Sequence, residues 1–246
     1  MQSTASLMFL SATVLAVVTL TAKQPQSPRS SWGGGGTAAI VPPSGGDVLT
    51  PDQVLRRTGK SLGEWGEDWW NWVYQFPLET NPLIDTTGEL ADQGQSGRVW
   101  FLAGNIGGTA VRECTVPPGK LIFFPIINFN AFAPEDAPDL EGVRFIANVS
   151  IDAVDILEVE IDGVPVTDLY AYRGQSPPGG YVQLMPADGL APGFGLVPGD
   201  RDPSVTDGYW IMLAPLHPGE HVVHFRGGIT AVFEVDLTYF LTVSGH

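Results

Sequence analysis

The sequence predicts a mainly β fold: an antiparallel β-sandwich, jelly-roll or immunoglobulin-like, with a packed N-terminal aromatic helix and one further helix. Three observations predict it. Short apolar segments rich in β-branched and aromatic residues recur between Gly and Pro turns, beginning with "RVWFLAG" at 98 to 104 and "LIFFPIINF" at 121 to 129. No strand-then-helix rhythm repeats along the chain, which argues against a parallel α/β sheet. The closing stretch "FEVDLTYFLTV" places Phe233, Val235, Leu237, Tyr239, Leu241 and Val243 on one face of an extended strand.

Taken in order, residues 7 to 22, "LMFLSATVLAVVTLTA", form an apolar run of signal-peptide length, short for a membrane span. Export, to the cell surface or beyond, is the expectation. An uncleaved N-terminal anchor is the alternative, because "MQSTAS" carries no Lys or Arg and Leu20 is large for a cleavage site after Ala22. Residues 23 to 50 are rich in Pro, Gly and Ser without an apolar period and read as a linker, so that 51 to 246 hold a single domain.

The stretch "EWGEDWWNWVYQF", 64 to 76, is the aromatic helix. Ser61 and Glu64 have the spacing of a capping box, early acids suit the helix dipole, and Pro77 ends the segment, giving a helix over about 61 to 76. At 100° per residue Trp65, Trp69, Trp72 and Phe76 form one stripe within about 60°, the face expected to seal against the strands. Trp70 lies off that stripe with Tyr74 one turn later. Either "NPLIDTTG", 81 to 88, folds back over them, or they form a stacking platform for a sugar or an anchor for a protein partner.

Further along, Val143, Ala147, Ile151 and Val154 recur at helical spacing, so the second helix falls within 139 to 154. The Asn148-Val149-Ser150 glycosylation signature lies inside it and is read as incidental. "ILEVEIDGVPV" alternates into an Asp-Gly hairpin turn, and "GYWIMLAPL" and "EHVVHFRG" are joined through His-Pro-Gly. The ending "PLHPGEHVVHFRG" with "FEVDLTYFLTV" resembles the closing strands of immunoglobulin-like modules of secreted bacterial proteins; the resemblance covers the C-terminal sixth and carries over no functional residue.

Composition bounds the chemistry. With 12 Lys plus Arg against 27 Asp plus Glu, the net charge of −15 repels nucleic acid and anionic membranes, leaving no membrane partner beyond the N-terminal anchor. Cys114 is the single cysteine, which excludes an intramolecular disulfide and a multi-cysteine zinc site; it reads as a small apolar strand residue. Ca²⁺ is the one cofactor the acids suggest, through Asp200, Asp202 and Asp207 with Ser204 and Thr206 in "GDRDPSVTDG". His217, Glu220 and His221 are a weaker metal set, since His221 and His224 point to opposite faces of a strand. There is no nucleophile elbow, zincin motif or phosphate loop, so the expected role is a non-catalytic secreted or surface protein that binds a glycan or another protein. The alternatives are an extracellular carbohydrate hydrolase, for which Glu64, Glu67 and Asp68 are the first carboxylates to test, and a structural envelope component.

Overall fold

A computed structural model describes residues 47–245; the expected signal peptide or anchor, and residues 23 to 46 of the expected linker, lie outside them. The last four linker residues belong to the fold. Leu49 is buried, its N–H donates to the Met212 carbonyl at 2.8 Å, and Val48 bridges Leu213.

Two helices, not one, accompany the aromatic helix. α1 (Pro51–Thr58) carries signals at both ends: a Thr50/Gln53 capping box, Pro51 in its first turn and Gly59 closing it at φ 78°. α2 (Leu62–Val73) is the tryptophan helix, capped by Ser61, whose backbone N–H donates to Glu64 Oε2 at 2.8 Å. It stops at Tyr74, so residues 74 to 76 form a turn instead of a last helical turn. α3 (Leu140–Asp152) matches the expected second helix and buries Val143, Ala147, Ser150 and Ile151.

The fold is mainly β, in two sheets. The first runs β1 (Val99–Phe101), β3 (Leu121–Phe132), β8 (Arg201–Leu213), β6 (Arg173–Gln175), with β7 (Tyr181–Gln183) also on β8. The second runs β2 (Gly108–Val116), β10 (Phe233–Val243), β9 (Gly219–Ile229), β4 (Ile156–Ile161), β5 (Val164–Pro165). The pairing is not wholly antiparallel: β1 lies parallel to β3, and β2 lies parallel to β10 over nine residue pairs. Neither pair is joined by a hairpin, so no tight turn dictates its direction.

Alternation along the first sheet sets the layers. Phe124 on β3 stacks on Phe225 of β9 at 4.8 Å, joining the two sheets. Phe123, its neighbour, points the other way and stacks on Trp210 at 5.4 Å under α2. Both faces of β3 and β8 are therefore covered, which is why these strands are buried almost without interruption. α2 sits close because two of its residues have no side chain: a Cβ on Gly63 would overlap the Gln175 carbonyl, and one on Gly66 would meet the Trp210 ring at 2.6 Å. α3 covers the opposite face, where Val143 and Ala147 cluster with Ala131 and Val205.

Candidate functional site

β8 divides its side chains between two polar sites. Thr206 and Trp210 face α2; Val205, Asp207 and Tyr209 face α3.

On the α2 side, the expected stacking pair is not an open platform. Tyr74 is 5% exposed, and burial raises its hydroxyl well above the ordinary range. Trp70 is half-buried, lies edge-on to Trp69 at 5.1 Å and donates its indole N–H to Thr206 Oγ1 at 3.0 Å. The cover comes from β7 and the segment after it: the Tyr74 carbonyl accepts from Leu190 N–H at 3.1 Å, and Asn71 bonds Gln183 and Leu184. Residues 81 to 88 brace the end of α2 instead, through Asn81 Nδ2 donating to the Val73 and Phe76 carbonyls at 2.9 Å. Of the expected core stripe, Trp69 and Trp72 are buried, while Trp65 and Phe76 are half-buried against the core.

The three helix acids are spent in three ways. Glu64 closes the cap, where the Ser61 N–H and hydroxyl lower its carboxyl. Asp68 pairs with Lys60 at 2.5 Å. Glu67 is turned inward: burial raises its carboxyl to about 7, the nearby Ser176 hydroxyl offsets part of that rise, and Oε1 has no hydrogen-bond partner among the described residues. They form no pair flanking a cleft.

The metal sets are not gathered either. Asp207 is fully buried against Arg173, while Asp200 and Asp202 are exposed: Asp200 precedes β8, and within the strand Asp202 and Asp207 fall on opposite faces. His221 engages both ring nitrogens, Nδ1 with Asp162 Oδ2 at 2.7 Å and Nε2 with the His217 carbonyl at 2.9 Å; the His217 and Glu220 residues are exposed. Among the described residues no group of three or more His, Cys, Asp or Glu side chains is placed to hold a metal. Cys114 is buried in β2, and burial pushes its thiol up to about 12.

On the α3 side an open recess of about 450 Å³ is lined by Asn148, Asp152, Arg173, Gln175 and Asp207. Arg173 is its hub. Its guanidinium grips Asp207 through Nε at 3.1 Å and Nη2 at 2.6 Å, donates from Nη1 to Asp152 at 2.5 Å, and reaches the Asn148 carbonyl at 3.3 Å. Hydrogen bonding to Asp207 raises the guanidinium further above its ordinary value, so it is a fixed charge. Gln175 Nε2 donates to Asp207 Oδ2 at 3.1 Å and to Asn148 Oδ1, and its own oxygen accepts from Arg144 at 2.5 Å. Every planar group in this wall is thus oriented by another. Exposed rings flank it: Tyr170, 61% exposed, stands edge-on to Tyr209 at 5.7 Å, and Tyr209 pairs with Arg173 across the sheet. Phe145, 59% exposed, lies three residues before Asn148 on α3.

Sequence reasoning singled out Asp207 alone from this recess as a site residue, and for another chemistry. A usable signal was present in Arg144, Asn148 and Asp152, which recur every four residues and mark a polar face on a helix whose opposite face is apolar.

No protein-family model, curated protein or solved structure matches this chain.

Proposed function

We propose that the chain is an exported or cell-surface, non-catalytic binding protein whose ligand is a glycan, held in the recess between α3 and β6. The observation that carries this reading is the wall of that shallow, open recess: pre-oriented amide, carboxylate and guanidinium groups with the solvent-exposed Tyr170 ring beside them. A sugar presents the matching chemistry, hydroxyls that both donate and accept around an apolar ring face.

Hydrolysis is the weaker reading. Glycoside hydrolysis needs two carboxyl groups open to the substrate, whereas both oxygens of Asp207 are taken up by Arg173, Gln175 and the Gly208 N–H. The export expectation rests on residues 7 to 22; no helix among the described residues is long and apolar enough to cross a membrane. For the architecture, the strand orders favour an immunoglobulin-type sandwich over a jelly roll: β3-β8-β6 follows the B-E-D order and β10-β9-β4 the G-F-C order, with α3 inserted between the B and C equivalents.

A glycan array probed with the full chain, alongside Tyr170→Ala and Asn148→Ala, tests the reading. Binding by the parent that falls in both variants supports it. Binding of no glycan sinks it, and so does release of reducing ends that disappears in Asp152→Ala.

A further inference from the structure

We infer that the recess selects uncharged glycans, with adjacent hydroxyls of one sugar bridging Asp152 and Asn148 and its ring face lying on Tyr170. This rests on the glycan-binding reading above and names the ligand class, which follows from the hydrogen-bonding capacity left over once the wall has satisfied itself.

The cations are spent. Of the five N–H groups of the Arg173 guanidinium, those on Nε and Nη2 go to Asp207 and the Asn148 carbonyl and one on Nη1 goes to Asp152, leaving a single N–H. Arg144 is turned away from the recess mouth by bonds to Gln175 Oε1, the Ser176 carbonyl at 3.1 Å and the Pro177 carbonyl at 2.6 Å. A carboxylate, sulfate or phosphate on the ligand would find no free bidentate fork, would meet the Asp152 carboxylate, and would approach a chain of net charge −15.

What is left over is neutral recognition chemistry. Asp152 has a 60% exposed side chain and only Oδ1 is bonded, so Oδ2 accepts. Asn148 uses its Oδ1 for Gln175, and among the described residues its Nδ2 donates to nothing, so both amide N–H groups are free. The two residues are one helical turn apart on the same face of α3, with Cβ atoms about 6 Å from each other. One hydroxyl donating to Asp152 and its neighbour accepting from Asn148 is the pattern of a sugar diol. A ligand ammonium could satisfy Asp152 but would face Arg173 and leave the Asn148 amide without an acceptor.

The test is affinity electrophoresis of the full chain through gels containing mannan or a β-glucan (uncharged), alginate (anionic) or glycol chitosan (cationic), each at low and high salt. Retardation is expected in an uncharged gel and should persist at high salt. Asn148→Ala and Tyr170→Ala should each weaken it about tenfold, the loss of one good polar or stacking contact. Asp152→Asn, which keeps an acceptor and removes the charge, should retain most of the binding. Circular dichroism checks that these surface variants fold. Salt-sensitive retardation confined to alginate or to glycol chitosan overturns the uncharged class while leaving glycan binding in place. An Asp152→Asn variant that loses binding outright shows that the charge, and not the acceptor, is read, and overturns it as well. Retardation in none of the gels removes the glycan reading on which the inference stands.

Discussion

Glu67 is the residue whose environment agrees least with its chemistry. Its carboxyl is pressed between α2 and the first sheet beside Ser176, whose hydroxyl favours the charged form, as Lys60 does, while Glu64 and Asp68 add repulsion. Burial lifts it to about 7, above the ordinary carboxylate value, so the fold prefers the neutral acid. The stability this preference supplies is complete below about pH 4.5 and is lost as the pH rises through 7. Glu67→Gln should therefore raise stability at pH 8 by about 1 to 2 kcal/mol, after allowing for solvent screening, and change little at pH 4; urea melts at the two values measure it. Arg112 is the opposite case, a buried cation fully answered: it donates to the carbonyls of Asp85 at 2.7 Å, Ala103 at 2.9 Å and Gly104 at 3.0 Å and to the Tyr239 hydroxyl at 2.5 Å. Arg112→Ala should cost about 3 kcal/mol or more in the same melts, because it strands those acceptors in a dry interior.

At the scale of elements, α2 depends on what it lacks. Gly66→Ala substitutes a better helix former, worth about 1 kcal/mol in an isolated helix, yet it should destabilise the protein by about 1 to 3 kcal/mol. The added methyl meets the Trp210 ring, which stacks on Phe123 and has its N–H tied to the Gly174 carbonyl, so it cannot swing aside. Near-UV circular dichroism, dominated by these indoles, should weaken along with the melting midpoint. Trp69→Ala should cost about 3 to 5 kcal/mol as a fully buried ring. Trp70→Ala should cost about 1 to 3 kcal/mol, since its ring is half-buried and its N–H is bonded to Thr206; a loss near zero would reopen its role as a ligand platform.

The start and cap of α2, the apolar period of α3 and the alternation of β10 were legible in the sequence because each is written in local spacing. Of β2 only Cys114 was read as strand: the inward positions are Ala110, Arg112, Cys114 and Val116, and an arginine at a core position erases the alternation that announces the rest. The start of β8 reads as a polar loop for a related reason, since Thr206 and Asp207 are buried through hydrogen bonds supplied by segments tens of residues away. The recess was hidden for the same cause. Asn148, Arg173 and Asp207 stand far apart in the chain and meet only when α3 and β6 are laid on β8.

Across the whole molecule, protection should follow coverage. β3 and β8 are shielded by α2 on one side and by α3 and the second sheet on the other, whereas the outer face of β4, β9 and β10 carries the part-exposed ladder of Glu158, Arg226 and Glu234. Amide hydrogen exchange should therefore be slowest in Ile122–Phe124 and Tyr209–Leu213 and fastest around the short Ile161–Val164 turn, an ordering that peptide-resolved mass spectrometry would reveal. Uniform protection over both sheets would mean that the molecule opens as one unit.

β8 also ties two outcomes of mutation together. Because Thr206 and Trp210 serve the helix seat while Asp207 and Tyr209 serve the recess, inserting or deleting one residue between Val205 and Gly208 would hand the arginine's carboxylate to the tryptophans and turn an indole toward Arg173. Frame errors in this ribbon would forfeit helix docking and ligand capture in a single stroke. Point replacements could still tune either side alone.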